Sequence, residues 1–195
     1  RFYEMNRTMK KLSLSASIDP IISEEHHHDD GHSEGADPHY WVSPRCAASM
    51  ALSVRDFLTG LDPEKGDLFN ENYKKLLIKI SELDSMASEL SLHSGKKAFM
   101  IYHPNLAYLA RDYGLEEITV EADGKEPSPS RLVELINRAK EDSIKVIMVQ
   151  REYDTKNARA VADEAGARIV VIDPLSEDWY SSTAGIIKII KESFE

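Results

Sequence analysis

The chain has 195 residues, of which 42% are hydrophobic, so it is long enough for one large domain or for two unequal lobes. Its 24 lysines and arginines are outnumbered by 34 aspartates and glutamates, which gives a formal net charge of −10. This acidic balance argues against binding to nucleic acid and against an electrostatic hold on anionic membranes, because both partners need a basic surface.

Residues 1–22 are predicted to form a short helix followed by an extended apolar run. Residues 23–36 are predicted to be a solvated loop, because they contain almost nothing that can bury apolar area. Ser43 is predicted as the N-cap of a helix that begins at Pro44 and ends near residue 58. The one cysteine of the sequence, Cys46, falls in this helix, where we expect it to be a small buried hydrophobic residue. A single cysteine excludes an internal disulfide and a cysteine-rich metal site.

A long helix is predicted over residues 63–92. Apolar residues recur along it at alternating spacings of four and three, which places them in one stripe on a single face. The stripe consists of Phe69, Tyr73, Leu76, Ile80, Leu83, Ala87 and Leu90. We expect this helix to pack along a globular body, and the alternative is a coiled-coil seam with a partner of similar length.

The remainder of the sequence alternates strands and helices. The predicted strands are 97–102, 117–121, 145–149 and 167–172, and the predicted helices are 105–113, 129–141, 155–165 and 178–194. The third and fourth strands are nearly continuous apolar runs, which is typical of strands buried on both faces of a parallel sheet. Gly114 and Gly166 stand where the C-caps of helices belong. The sequence therefore predicts an α/β fold.

Polar residues follow these strands directly. His103 comes after the first strand and Asp173 after the last. Because the carboxyl ends of parallel strands meet at one edge of a sheet, where ligands bind, we expect both side chains to face a common site. Taken singly, His103 is more often a structural histidine than a ligand, and Asp173 before a proline is often only a turn former or helix cap. Glu152, after the third strand, is more simply explained as a solvated residue or the ion-pair partner of Arg151.

His39 is a third candidate, because it lies in a stiff turn. Pro38 restricts the backbone of Asp37, and Tyr40 and Trp41 offer packing that fixes the imidazole ring. Asp37 is positioned either to accept a hydrogen bond from that ring or to cap the following helix. Two imidazoles and a carboxylate without a thiolate suit zinc or another borderline divalent metal.

The loop over residues 23–36 carries four more histidines among carboxylates: His26, His27, His28 and His32. A run of this kind is expected to collect metal ions weakly and to release them quickly. The alternatives are a plain acidic loop or a remnant of engineering.

The motif Asp-Pro-His-Tyr-Trp-Val-Ser-Pro over residues 37–44 resembles the DPHxWLSP signature of the zinc- and manganese-type solute-binding proteins of ABC transporters, known as cluster A-I. The histidine-rich loop before it is similar to the loop of the zinc-specific members. The resemblance continues through Tyr-His-Pro at 102–104, Glu-Pro-Ser-Pro at 126–129 and Val-Ile-Asp-Pro-Leu at 171–175. Nearly the whole chain is covered in order.

The resemblance implies two α/β lobes with parallel sheets, joined by a rigid helix. Residues 1–62 correspond to the remainder of an N-terminal lobe, 63–93 to the linking helix and 94–195 to the C-terminal lobe. The start of the first lobe, which supplies a further histidine ligand in the family, has no counterpart in the sequence. The chain opens on Arg1 rather than on methionine, so we expect a processed or trimmed product, and a removed export signal stays open.

The same resemblance implies a metal site between the lobes. His39 is the expected ligand from the first lobe, and His103 and Asp173 are the expected ligands from the second. Glu177 is held in reserve, because some relatives place a glutamate a few residues after the aspartate. The expected ion is Zn²⁺, with Mn²⁺ or iron as the alternative within the family.

The implied function is delivery of that ion to the permease of an ABC importer by a monomer in the periplasm or anchored by lipid to the cell surface. Two other classes stay open on the residues alone. A zinc hydrolase would use Glu152 or Glu177 as general base, but the sequence lacks a compact metal-hydrolase motif. An interaction protein would dock through the long helix. We expect a binding protein and not an enzyme, with no nucleic-acid partner and no membrane-spanning segment.

Overall fold

The computed structural model describes residues 5–22, 35–92, 95, 97–121 and 125–194. In these ranges four parallel strands form one sheet in the order β2-β1-β3-β4. The strands are β1 (Ala98–Ile101), β2 (Glu116–Thr119), β3 (Val146–Gln150) and β4 (Arg168–Ile172). The helices are α1 (Pro44–Leu61), α2 (Gly66–Leu90), α3 (Ala107–Tyr113), α4 (Pro129–Glu141), α5 (Lys156–Ala165) and α6 (Trp179–Glu192). Each strand and each following helix lies within a few residues of its predicted position, so the α/β prediction is confirmed.

Helices cover both faces of the sheet. The second half of α2 packs with α3 and α6 on one face, where Phe99 and Ile101 of β1 point. The other face packs on α4 and α5, with Met100 and Ile147 buried against them. Burial of each such side chain contributes roughly 1.5–3 kcal/mol relative to exposure, which makes this sandwich the main source of stability.

The prediction that the fourth strand is buried on both faces is wrong. β4 pairs only with β3, so it forms an edge of the sheet. Ile172 is buried at its end, but Val171 is 57% exposed. β3, which lies between β1 and β4, is buried along its whole length as predicted.

The long helix packs along a globular body, as predicted. It packs against α1, and the buried positions of its second half (Ile80, Leu83, Ala87 and Leu90) face α6 and the sheet. The apolar stripe is not buried along its whole length, however, because Leu76 is 43% exposed.

Ser43 and Pro44 occupy the N-cap and first positions of α1, as predicted, but the Ser43 hydroxyl makes no capping hydrogen bond. It donates instead to the carboxylate of Asp112, at the end of α3. The Cys46 thiol donates to the same carboxylate over 3.5 Å, and burial, followed by the charge of Asp112, raises the pKa of that thiol to about 11. Cys46 is buried, as predicted. The contacts of Ser43 and Cys46 with Asp112 join α1 to α3, which packs on the sheet.

Before α1 the chain forms 3-10 turns at Leu14–Ser17 and Tyr40–Val42, and Ile22 makes an isolated antiparallel bridge with Ala36. A second sheet, which the resemblance implies for a first lobe, is not present in the described ranges. Within those same ranges, the helices are too short or too polar to cross a bilayer.

Candidate metal site

Two turns bring His39 and His103 together. His39 precedes the 3-10 turn Tyr40–Val42, and His103 follows β1 at the carboxyl edge of the sheet. Their ring centroids lie 5.6 Å apart with an interplanar angle of 84°. The two imidazoles are therefore near enough to share one ion, and their role as ligands stays a prediction.

Asp37 fixes the ring of His39. Its Oδ1 accepts a hydrogen bond from the His39 backbone N–H over 2.8 Å and lies 2.7 Å from Nδ1 of the same residue. The Tyr108 hydroxyl anchors the turn by donating to the Asp37 carbonyl over 2.8 Å. Because an ionised carboxylate only accepts, this contact favours the neutral imidazole tautomer that carries its proton on Nδ1 and its lone pair on Nε2.

Besides His39, three residues contact His103. Oε1 of Glu121, the second residue after β2, lies 3.2 Å from Nδ1 of the imidazole. The ring of Tyr153 stacks on the imidazole with centroids 4.9 Å apart and an angle of 17°. The Gln150 side chain donates to the His103 carbonyl over 2.7 Å and accepts from its N–H over 3.3 Å. Glu121 and Tyr153 thus fix the orientation of the imidazole ring, and Gln150 fixes the backbone of His103.

Sequence reasoning missed Glu121 and Tyr153. Glu121 ends the predicted second strand, so the rule that selected His103 and Asp173, a polar residue at the carboxyl end of a strand, also applies to it. Tyr153 carried no such signal, because its contact with the imidazole depends on how the turn after β3 folds.

Asp173 follows β4, as predicted, but an arginine holds its carboxylate. Its Oδ2 lies 3.1 Å from Nη2 of Arg151, and its Oδ1 accepts from the Leu175 N–H over 3.2 Å. Glu152 and Glu177 are exposed, and their proposed roles stay predictions. No group of three or more histidine, cysteine, aspartate or glutamate side chains in the described part of the chain forms a ready-made metal site.

Two tryptophans join the His39 turn to the loop that carries Asp173. The Trp41 indole N–H donates to the Pro174 carbonyl over 3.2 Å. The Trp179 indole N–H, at the start of α6, donates to the Trp41 carbonyl over 2.9 Å. The histidine turn is therefore fixed against the carboxyl end of β4, next to Asp173.

The surroundings of the two imidazoles are rich in carboxylates. Besides Asp37 and Glu121, the carboxylate of Glu117 on β2 is partly buried and accepts from the Leu106 N–H over 2.8 Å. Burial, reinforced by the charge of Asp37, raises the pKa of Glu117 to about 7. A site with this excess of acidic groups favours a cation over an anion. The loop histidines His26, His27, His28 and His32 lie outside the described residues.

An α/β fold with two carboxylate-supported imidazoles at its sheet edge defines a candidate metal-binding protein. Residues 2–192 match the family described as ZnuA, the periplasmic component A of the zinc-uptake complex. The chain belongs to this family, so the resemblance found in the sequence is confirmed. The family consists of binding proteins, so the prediction of a non-enzymatic chain is confirmed as well.

Relatives agree with this assignment. The chain is 31% identical to the high-affinity zinc uptake system protein ZnuA of Bacillus subtilis, over 94% of this chain and 61% of that protein. It is 32% identical over 151 residues to the zinc-binding protein AdcA of Streptococcus pyogenes, which covers 76% of this chain and 29% of AdcA. The chain thus spans between 29% and 61% of these curated relatives.

Solved structures share the fold. A crystal structure of ZnuA aligns with a TM-score of 0.86 and 30% identity, over 99% of this chain and 72% of that one. A zinc-bound deletion mutant of ZnuA aligns with a TM-score of 0.84, 30% identity and the same coverage. A laminin-binding adhesin of Streptococcus agalactiae, at 21% identity and a TM-score of 0.78, covers 94% of this chain and 70% of its own and shares the fold alone.

Proposed function

We propose that this chain binds zinc as cargo, as part of the solute-binding component of a zinc-uptake ABC system. The observation that carries the proposal is the meeting of His39 and His103, with ring centroids 5.6 Å apart. A carboxylate lies beside Nδ1 of each ring, so both Nε2 atoms are available to one ion.

Zinc is the proposed ion because of the donor set and the family. Imidazole nitrogen suits zinc, whereas manganese favours sites made of carboxylate and water oxygens. The relative in Bacillus subtilis is a high-affinity zinc uptake system protein, and the relative in Streptococcus pyogenes is a zinc-binding protein. Manganese and iron are the second candidates.

Asp173 is the proposed third ligand, with Glu177 in reserve. Its place after β4 and the tryptophan link between its loop and the His39 turn support this role. To bind an ion, Asp173 must exchange the Arg151 guanidinium, 3.1 Å away, for the metal. The histidines of the loop at 23–36 are proposed to collect zinc near the site.

The complete protein is proposed to have two lobes. Residues 1–62 would belong to the first lobe, 63–93 to a linking helix and 94–195 to the second lobe, with a further ligand from the first lobe. The proposed protein is a monomer in the periplasm or anchored by lipid at the cell surface, and its partner is the permease of the transporter. The family description, which names a periplasmic component of an uptake complex, supports this placement.

A competition titration against a chromophoric zinc chelator tests the proposal. The protein carries asparagine in place of the four loop histidines, so that the loop cannot contribute to the count. We expect one tight site, weakened at least about 100-fold by His39→Ala and by His103→Ala, since each removes a bond to the ion.

His93→Ala is the matched control, because in the sequence His93 lies outside residues 37–44 and 102–104 and is not a proposed ligand, and it should leave the affinity unchanged. Circular dichroism checks that all variants fold. The absence of a tight site, or equal affinity in all three variants, contradicts the proposal.

A further inference from the structure

We propose that Glu121 is the positioning residue that makes His103 a ligand through Nε2, an inference that rests on the proposed function. Glu121 is not a proposed ligand itself. Its carboxylate selects which ring nitrogen of His103 carries the proton, and it thereby sets which nitrogen faces the ion.

The sheet register delivers Glu121 to the imidazole. β1 and β2 are parallel neighbours, and the pairing of Ile101 with Thr119 places His103 opposite Glu121 two residues further on. The Glu121 backbone N–H donates to the Tyr102 carbonyl over 3.0 Å, which continues the ladder past the end of the strands. The carboxylate is therefore attached to a fixed backbone.

Burial makes the contact selective. The Glu121 side chain is only 5% exposed, and its Oε1 lies 3.2 Å from Nδ1 of His103. A neutral imidazole has two tautomers, and an ionised carboxylate can accept only from the one that carries its proton on Nδ1. That tautomer leaves the lone pair on Nε2, the atom that a metal ion then binds.

The other neighbours of His103 do not make this choice. Tyr153 contacts the face of the imidazole, which orients the plane of the ring and leaves both nitrogens equivalent. Gln150 bonds only to the backbone of His103. Among the contacts in the described ranges, the one to Glu121 distinguishes the two nitrogens.

Nitrogen-15 NMR of the zinc-free protein at pH 8 tests the inference directly, because long-range couplings report the tautomer of each histidine. The His103 signal is assigned by its loss in His103→Ala. We expect the Nδ1–H tautomer in the unmodified chain and a mixture of tautomers in Glu121→Met, which fills the buried space without an acceptor. Glu121→Gln should retain the Nδ1–H form, because its amide oxygen still accepts.

Glu117→Gln is the matched control. Glu117 lies on β2 and is partly buried, but its carboxylate accepts from the Leu106 backbone and not from an imidazole. The His103 tautomer should be unchanged in this variant. Thermal unfolding of each variant checks that the fold is intact.

Zinc affinity supplies the second readout. We expect Glu121→Met to weaken zinc binding about 10- to 100-fold, and Glu121→Gln to weaken it less. An unchanged tautomer in Glu121→Met overturns the inference, and so does a changed tautomer with unchanged zinc affinity. If the unmodified chain binds no zinc but its tautomer still depends on Glu121, the proposed function fails while the positioning of the ring stands.

Discussion

At the scale of single residues, Arg151 competes with the proposed metal ion for Asp173. The pair is 3.1 Å apart, with the arginine side chain 71% exposed and the aspartate 27% exposed. Exposed pairs of this kind contribute about 0–1 kcal/mol, so the carboxylate can leave the arginine at small cost.

Replacement of this arginine tests whether Asp173 binds the ion. We expect Arg151→Gln to tighten zinc binding by up to about fivefold, because the carboxylate no longer has to leave a cation. Arg151→Lys keeps the charge and should change the affinity less. Chelator competition measures both variants, and a weaker affinity in Arg151→Gln contradicts a ligand role for Asp173.

Glu117 gives the protein a defined pH dependence. Burial raises the pKa of its carboxyl from 4.5 to about 7, so the folded state holds this proton more tightly than the unfolded state does. The free energy of unfolding should therefore fall as the pH rises from about 4.5 to about 7 and then level off.

Glu117→Gln removes this titration. We expect the variant to match the unmodified chain near pH 4.5 and to exceed its stability above pH 7 by up to about 3 kcal/mol. Urea unfolding at the two pH values measures the difference. If the variant and the unmodified chain differed in unfolding free energy by the same amount at both pH values, the Glu117 carboxyl would not titrate as described.

The two carboxylate–imidazole pairs show how far single residues can be predicted. Asp37 lies two positions before His39, so its contact follows from the local turn and was open to prediction. Glu121 lies 18 positions after His103 and reaches it only through the register of β1 and β2. A contact of that kind is invisible until the strand order is known.

At the scale of elements, glycines that end helices differ from glycines inside them. Gly166 ends α5 with φ at +69°, and nothing lies within 4 Å of the place where a Cβ would be added. Gly185 lies inside α6 and also faces open space. Backbone conformation alone therefore decides the effect of alanine at either site.

We expect Gly166→Ala to lower the free energy of unfolding by about 1–2 kcal/mol, because a left-handed backbone is costly for alanine. Gly185→Ala should raise it by about 0.5–1 kcal/mol, since alanine favours the helix. Urea unfolding of both variants measures the difference. Effects of the same sign would contradict the assigned backbone conformations.

The contact between Ser43 and Asp112 joins α1 to α3. Ser43 is fully buried, and the Asp112 carboxylate also pairs with Arg111 over 2.8 Å. We expect Ser43→Ala to cost about 1–3 kcal/mol of unfolding free energy, because a buried carboxylate loses a donor. Ser85→Ala, at an exposed site on α2, is the control and should change stability by less than about 0.5 kcal/mol. Chemical denaturation measures both variants. If Ser43→Ala and Ser85→Ala changed the free energy of unfolding equally, the contact between Ser43 and Asp112 would not stabilise the fold.

Periodicity predicted the kind and place of each element, because local patterns decide whether a segment forms a helix or a strand. Periodicity did not predict how far neighbouring elements bury each helix or strand. Val171 is 57% exposed on β4, which pairs only with β3, and Leu76 is 43% exposed within the predicted apolar stripe of α2. Both exposures depend on the tertiary arrangement.

At the scale of the whole molecule, the site forms where three distant segments meet. The turn at 37–44, the end of β1 and the loop after β4 are held together by the two tryptophan hydrogen bonds and by Tyr108. The sheet edge was predictable from the alternation of elements. The stiff turn alone made His39 a candidate ligand, and only the family motif implied that it meets the sheet edge at one site. The ion-pair partner of Asp173 was not predicted, because the sequence also offered Glu152 to Arg151.

X-ray absorption at the zinc edge tests the central claim, that His39 and His103 share one ion, most directly. The protein is loaded with one equivalent of zinc and carries asparagine at the four loop histidines. We predict imidazole nitrogen at about 2.0–2.1 Å from zinc, with at least two imidazoles in the unmodified site and one fewer in each of His39→Ala and His103→Ala. The same number of imidazoles in all three proteins would place the ion elsewhere and contradict the account.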